Sequence, residues 1–143
     1  MKKLISILGI SIVFFGLNSS FGQVNEESAK EIANKLFNMC LKENYSSASN
    51  LLAYHGSDES RLYKDTYTYS NSTEAAEVKR LCNRIKAMIE ISDSYDFGSF
   101  RNRKSNGKQV QSLDIIFKSG NQKIKNKLTF ISINGSAVVL NLD

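Results

Sequence analysis

The feature that most constrains this chain is the spacing of turn signals in its last third. Three glycine-bearing turns, Ser105-Asn106-Gly107-Lys108, Ser119-Gly120-Asn121-Gln122 and Asn134-Gly135, divide Tyr95–Leu142 into four segments of strand length. The segments alternate in character. In Val110–Lys118, Leu113, Ile115 and Phe117 fall on one face, while Ser112 and Asp114 share the other with Ile116. In Lys123–Ile133, Ile124, Leu128 and Phe130 oppose Lys125, Lys127 and Thr129. Tyr95–Arg103 supplies a first strand and Ser136–Leu142, rich in Val and Leu, a last one. Strands this closely linked pair with their sequence neighbours, which predicts an antiparallel meander.

Such a sheet needs a cover. Leu113, Ile115, Phe117, Leu128, Phe130, Val138 and Leu140 form the expected apolar set, and burying each large side chain is worth about 1.5–3 kcal/mol. The upstream segments supply the cover. Over Asn25–Lys42, Ala29, Ile32, Ala33, Leu36, Phe37 and Cys40 repeat with helical period, with Ser28-x-x-Glu31 as a capping box. A short helix is expected over Tyr45–Tyr54, ending at His55-Gly56. Thr73–Ile91 is a second long helix, with Val78, Leu81, Cys82, Ile85, Met88 and Ile89 as its stripe and Ser72 or Thr73 as its cap. Ser57–Ser72 is polar. It reads either as an extra strand over Tyr63–Ser70, with Tyr63, Tyr67 and Tyr69 on one face, or as an irregular crossing. The predicted class is α+β: N-terminal helices packed on a curved antiparallel sheet of four strands, one domain over residues 23–143.

Residues 1–22 read as a secretory leader. Lys2 and Lys3 precede the apolar run Leu4–Leu17, and Ser20-Phe21-Gly22 places small residues at −3 and −1, so cleavage is expected after Gly22. The run is shorter than the roughly 20 residues that span a bilayer, and no later stretch is a transmembrane candidate. The expectation is an exported protein, periplasmic or extracellular. Loss of the leader removes two of the charges that make up the formal net charge of +5. The remaining cations cluster: Arg101, Arg103, Lys104 and Lys108 around one hairpin, Lys118, Lys123, Lys125 and Lys127 around the next. They read either as a patch for an anionic partner or as the charges that keep a sheet edge from pairing. No specific nucleic-acid motif accompanies them.

The catalytic inventory is sparse. His55 is the one histidine, and the chain contains no G-x-S-x-G, H-E-x-x-H or C-x-x-C motif. His55 is a general base only if Asp58 or Asp65 orients it. No cofactor is expected, nor a metal, since two cysteines on separate helices and one distant histidine do not make a ligand set. Cys40 and Cys82 lie on the stripes of different helices. They read either as a disulfide, worth about 4 kcal/mol in the chain-entropy picture, or as two buried thiols. The candidate ligand-binding residues are Tyr63, Tyr67, Tyr69, Asp114 and His55: the tyrosines for apolar area with a polar tip, and Asp114 if its strand face lines a cavity.

Three segments carry a family resemblance: the Glu31–Leu41 helix, Asn44-Tyr45-x-x-Ala48…Leu51-Leu52, and the hairpin Leu128-Thr129-Phe130-Ile131…Gly135…Val139-Leu140. Together they resemble the NTF2-like superfamily, in which helices cover a curved sheet; a cystatin-like sheet wrapped on a helix is the rival. The resemblance implies a cone-shaped domain whose mouth takes a small molecule or a protein partner. Gln109-Val110-Gln111 does not match the cystatin inhibitory loop Q-x-V-x-G, and no family catalytic set maps onto this chain. The functional expectation is an exported, non-catalytic binding domain. The alternatives are a small NTF2-like enzyme with a polar cavity and a basic surface adaptor for an anionic envelope component; the sheet also offers a route to a homodimer.

Overall fold

The structure is a computed structural model and describes residues 23–143; the predicted leader and its cleavage point at Gly22 lie outside the described residues. Three helices, α1 (Glu26–Leu41), α2 (Tyr45–Ser49) and α3 (Ser72–Glu90), precede four strands, β1 (Ser94–Ser105), β2 (Lys108–Ser119), β3 (Gln122–Ile133) and β4 (Ser136–Leu142). The strands form one antiparallel sheet in the order β1-β2-β3-β4, the predicted meander. Asn106-Gly107 and Asn134-Gly135 all have positive φ, the mark of a type I′ turn, and asparagine and glycine reach that region at the least steric cost.

The helices cover one face. Leu113, Ile115 and Phe117 of β2, Leu128 and Phe130 of β3, and Val139 and Leu142 of β4 pack there against Ala29, Ala33, Leu36 and Phe37 of α1 and Val78 and Ile85 of α3. Val138 and Leu140, expected in this set, point to the other face instead. The two-residue turn at Asn134-Gly135 pairs Ile133 with Ser136 and Phe130 with Val139, which fixes the parity of β4. A register shift beside Thr129 and Phe130 then returns Leu142 to the covered face.

β1 uses the same device. Its core-facing aromatics are Tyr95, Phe97 and Phe100, a spacing that breaks strict alternation. A bulge between Phe97 and Phe100 absorbs the extra residue and turns Arg101, opposite Ser112, and Arg103, opposite Val110, onto the uncovered face. Tyr95 packs edge-on against Phe37 at 5.2 Å between ring centres, tying the edge strand to α1.

Three local expectations are corrected. The reciprocal cap of α1 is Asn25 with Ser28, not Ser28 with Glu31: Ser28 N–H donates to Asn25 Oδ1 (2.8 Å) and Asn25 N–H to Ser28 Oγ (3.1 Å). Asn71 caps α3, accepting from Thr73 and Glu74 N–H, rather than Ser72 or Thr73. The second helix stops at Ser49 instead of Tyr54. Beyond it, Ala53 N–H donates to Val139 C=O and Val139 N–H to Leu51 C=O, both at 2.8 Å, so Leu51–Ala53 runs parallel along β4. The unpaired donors and acceptors of β4's edge outweigh one further turn of helix.

Cys40 and Cys82 are buried free thiols in side-chain contact. Of the two readings of the sequence, disulfide and thiol pair, the structure contains the thiol pair. The neighbouring Cys82 thiol, together with burial, pushes the Cys40 thiol far above its ordinary ionisation range. No described helix is long and apolar enough to cross a membrane.

Candidate ligand-binding site

The five candidate residues do not meet in one place. The predicted tyrosine row is broken because the crossing segment 57–72 is knotted around Arg61. The Arg61 guanidinium pairs with Glu74 Oε1 (2.6 Å) and Asp65 Oδ2 (2.8 Å), donates to Thr66 C=O (2.9 Å), and lies 4.1 Å over the Tyr54 ring. Glu74 also accepts the Thr68 N–H. Their hydrogen bonds from the Arg61 guanidinium hold Glu74 and Asp65 below the usual carboxylate range. Of the two readings of this segment, extra strand over Tyr63–Ser70 or irregular crossing, the structure contains the irregular crossing, with one short bridge between Ala53 and Thr66. Tyr63 takes a positive φ and packs under Lys108. Tyr67 is half-buried against Tyr54, and Tyr69 stacks on Tyr45.

His55 and Tyr67 do come together, in a cleft of about 140 Å³ between α3 and β4 that also includes Glu77, Arg80 and Asn141. Burial pushes the Tyr67 hydroxyl up. Neither proposed orienter reaches His55. Asp58 accepts from Ser60 N–H and Oγ–H, and Asp65 is held by Arg61. Glu77 and Arg80 pair with each other. The cleft thus lacks the base-and-orienter arrangement that a catalytic His55 requires. The enzyme alternative asked for Asp114, Tyr67 or His55 to converge in one cavity; His55 and Tyr67 share this cleft, while Asp114 lines a separate hollow with no residue in common with it.

Asp114 is the anomaly of the molecule. It sits mid-strand in β2 on the face the helices do not cover, yet it is only 1% exposed. Two neighbours explain the burial. Gly98, in the β1 bulge, approaches so closely that a Cβ there would lie 3.1 Å from Asp114 Cβ. From the solvent side, Lys125 Nζ and Arg101 Nη2 lie 2.8 and 3.3 Å from Asp114 Oδ2. The other carboxylate oxygen, Oδ1, is buried without a hydrogen-bond partner in the protein. So are Ser112 Oγ and Asn126 Oδ1. A buried polar atom without a partner costs about 1–3 kcal/mol, and three around one strand segment are a concentration that calls for a reason.

Asp114 borders a hollow of about 350 Å³ lined also by Arg101, Lys125, Asn126, Lys127 and Asp143. No protein-family model, curated protein or solved structure matches the chain. The chemistry of the hollow is therefore what bears on function. Arg101 and Lys125 each engage Asp114 through one oxygen and keep further N–H donors free. Lys127 has no ion-pair partner among the described residues, and Arg103 and Lys104 line an adjacent hollow that shares Asp143. Three cations against the two carboxylates of Asp114 and Asp143 leave the hollow net positive, which disfavours a metal ion and favours an anion; no cluster of metal-ligating side chains occurs among the described residues.

Ser112 and Asp114 were visible as a polar pair on one strand face, and the lysines as a cluster. The bulge that swings Arg101 across to them had only a faint signal, the Phe97-x-x-Phe100 break in alternation beside Gly98. Arg61 and Glu74 had none.

Proposed function

We propose that the chain is an exported, non-catalytic binding domain whose ligand site is the uncovered face of the sheet around Asp114. The observation that carries this reading is a mid-strand carboxylate, buried with one oxygen unpartnered, beneath a rim of three cations bordering an open hollow. Arrangements that cost stability without contributing to packing concentrate where a protein binds. Export belongs to the proposal and is supported by the Lys2-Lys3, Leu4–Leu17, Ser20-Phe21-Gly22 pattern. Kinship with the NTF2-like superfamily is likewise proposed, on the segments quoted above and on the arrangement of helices over one face of a four-strand meander.

Native mass spectrometry of the purified protein tests the site. The expected result is a small-molecule adduct that disappears on denaturation and is lost from an Arg101→Gln/Lys125→Gln variant but kept by Lys123→Gln. An adduct that survives the double substitution and instead depends on His55 or Arg80 would move the site to the α3–β4 cleft.

A further inference from the structure

The donors and acceptors around Asp114 specify the ligand further, on the premise that this hollow is the binding site. We infer that the hollow takes a hydroxylated organic anion of the sugar-acid type, with its acidic group on Arg101, Lys125 and Lys127 and a hydroxyl directed to Asp114 Oδ1.

Two complementary sets of groups lead there. Beside the Asp143 carboxylate, the rim carries three cations with unused donors, a guanidinium fork and two ammonium groups, with the Arg101 and Lys125 side chains 48% and 58% exposed and so free to reorient toward a ligand. They require an anion. The floor and edge offer acceptors: Asp114 Oδ1 lacks a donor, and the Asp143 carboxylate stands beside it. They require a ligand that donates. A plain carboxylate or inorganic anion satisfies the rim and leaves the floor unpaired. A neutral sugar does the reverse. An ammonium group satisfies the floor but meets three cations at the rim. One molecule bearing an acidic group and neighbouring hydroxyls satisfies both. The volume, about 350 Å³, is at the small end of the ~300–1,000 Å³ range of small-molecule sites, the scale of a single sugar unit. The neighbouring hollow of about 250 Å³, which shares Asp143 and is lined by Arg103, Lys104 and Thr129, lies where a next unit would continue. Free sugar acid and acidic polysaccharide therefore share the required chemistry.

The test is an NMR titration of the purified protein with glucuronate, glucose, acetate and a galacturonate oligomer. Glucuronate is expected to shift the amides of Arg101, Asp114, Lys125 and Lys127 and to bind at least about tenfold tighter than glucose or acetate, equivalent to about 1.4 kcal/mol. Arg101→Gln and Lys125→Gln weaken it by about tenfold each. Asp114→Val instead collapses the preference for glucuronate over acetate, because the hydroxyl acceptor is gone while the cations remain. A tighter oligomer that also shifts Arg103 and Lys104 identifies a polymer as the source; equal affinity per unit identifies the free acid. Acetate binding as well as glucuronate would overturn the sugar-acid assignment. So would an absence of shifts from both acids up to about 10 mM, well beyond weak affinities. If the acids fail while the native adduct is still lost from the double variant, the ligand class is wrong and the hollow stands. Loss of neither would remove the site itself.

Discussion

The two faces of the sheet are built from the same strands and obey opposite rules. On the covered face the apolar residues of β2 and β3 join one core with α1 and α3, with Leu113, Ile115, Leu128 and Phe130 fully enclosed. The uncovered face is divided. Toward β4 it holds a small cluster of Ala53, Val110, Ile131, Ile133 and Val138, flanked by Tyr63. Toward β1 it buries Ser112 and Asp114 without satisfying them. The contrast separates positions that hold the fold from positions free to bind.

The sharpest way to break the comparison is to remove one large side chain from the covered face. Phe130→Ala is expected to cost about 3–5 kcal/mol, read as a lowered urea midpoint, because the cavity lies in the packed centre between sheet and helices. A cost below about 1 kcal/mol would mean that this face is not the principal core. Next is the Arg61 knot, which anchors the crossing segment outside both faces. Arg61→Ala leaves Glu74 buried without its cation and is expected to cost about 3 kcal/mol, whereas Lys30→Ala, at an exposed helical pair, stays within about 0.5 kcal/mol.

The same knot gives a pH dependence. Glu74 and Asp65 are held below their ordinary range, so they bind protons less readily folded than unfolded. Their contribution to stability is complete above the unfolded carboxylate values of about 4. It is lost as pH falls through the lower folded values. Stability measured from pH 6 to 2 should fall more steeply in the wild type than in a Glu74→Gln variant; parallel curves would show that Glu74 is not linked to folding.

The smallest effect has the opposite sign on the uncovered face. Asp114→Val removes an incompletely satisfied buried carboxylate and gives the strand a β-branched residue. It is expected to leave stability unchanged or raise it by about 1 kcal/mol, at the expense of ligand binding. Leu113→Asn, its neighbour on the covered face, is expected to destabilise by more than about 2 kcal/mol. A large loss from Asp114→Val would make the carboxylate structural and erase the distinction between the faces.

Much of the architecture was legible because it is written in short-range chemistry. Asparagine-glycine turns set strand lengths, and period-2 alternation set the core-facing residues of β2 and β3. Parity in β4 was not legible, since Val138, Val139 and Leu140 are all apolar and only the pairing register decides which way each points. The second helix was read too long for a related reason: Leu51, Leu52 and Ala53 suit a helix locally, and a hydrogen-bonding edge distant in sequence draws them out of it. At the site, Asp114 was visible as a residue of interest, but its burial depends on Gly98 and Arg101 across a bulge. The tyrosine row failed because Arg61 meets five partners between residues 54 and 74, which no periodicity encodes.

The bulge in β1 also bears on how this chain tolerates changes in length. Between Phe97 and Phe100 a single surplus residue is taken up without changing the face that the residues on either side of it occupy. Deleting Ser99 would close the bulge and leave Phe100 opposite Leu113 with Arg101 and Arg103 still on the uncovered face, whereas deleting a second residue of this stretch would send both arginines beneath the helices and Asn102 and Lys104 outward. The hairpin tip at Asn106-Gly107, past the last residues packed on either side, carries no such phase. Related chains that differ in length should therefore vary at the tip, or by the one surplus residue of the bulge, and not elsewhere between Tyr95 and Arg101.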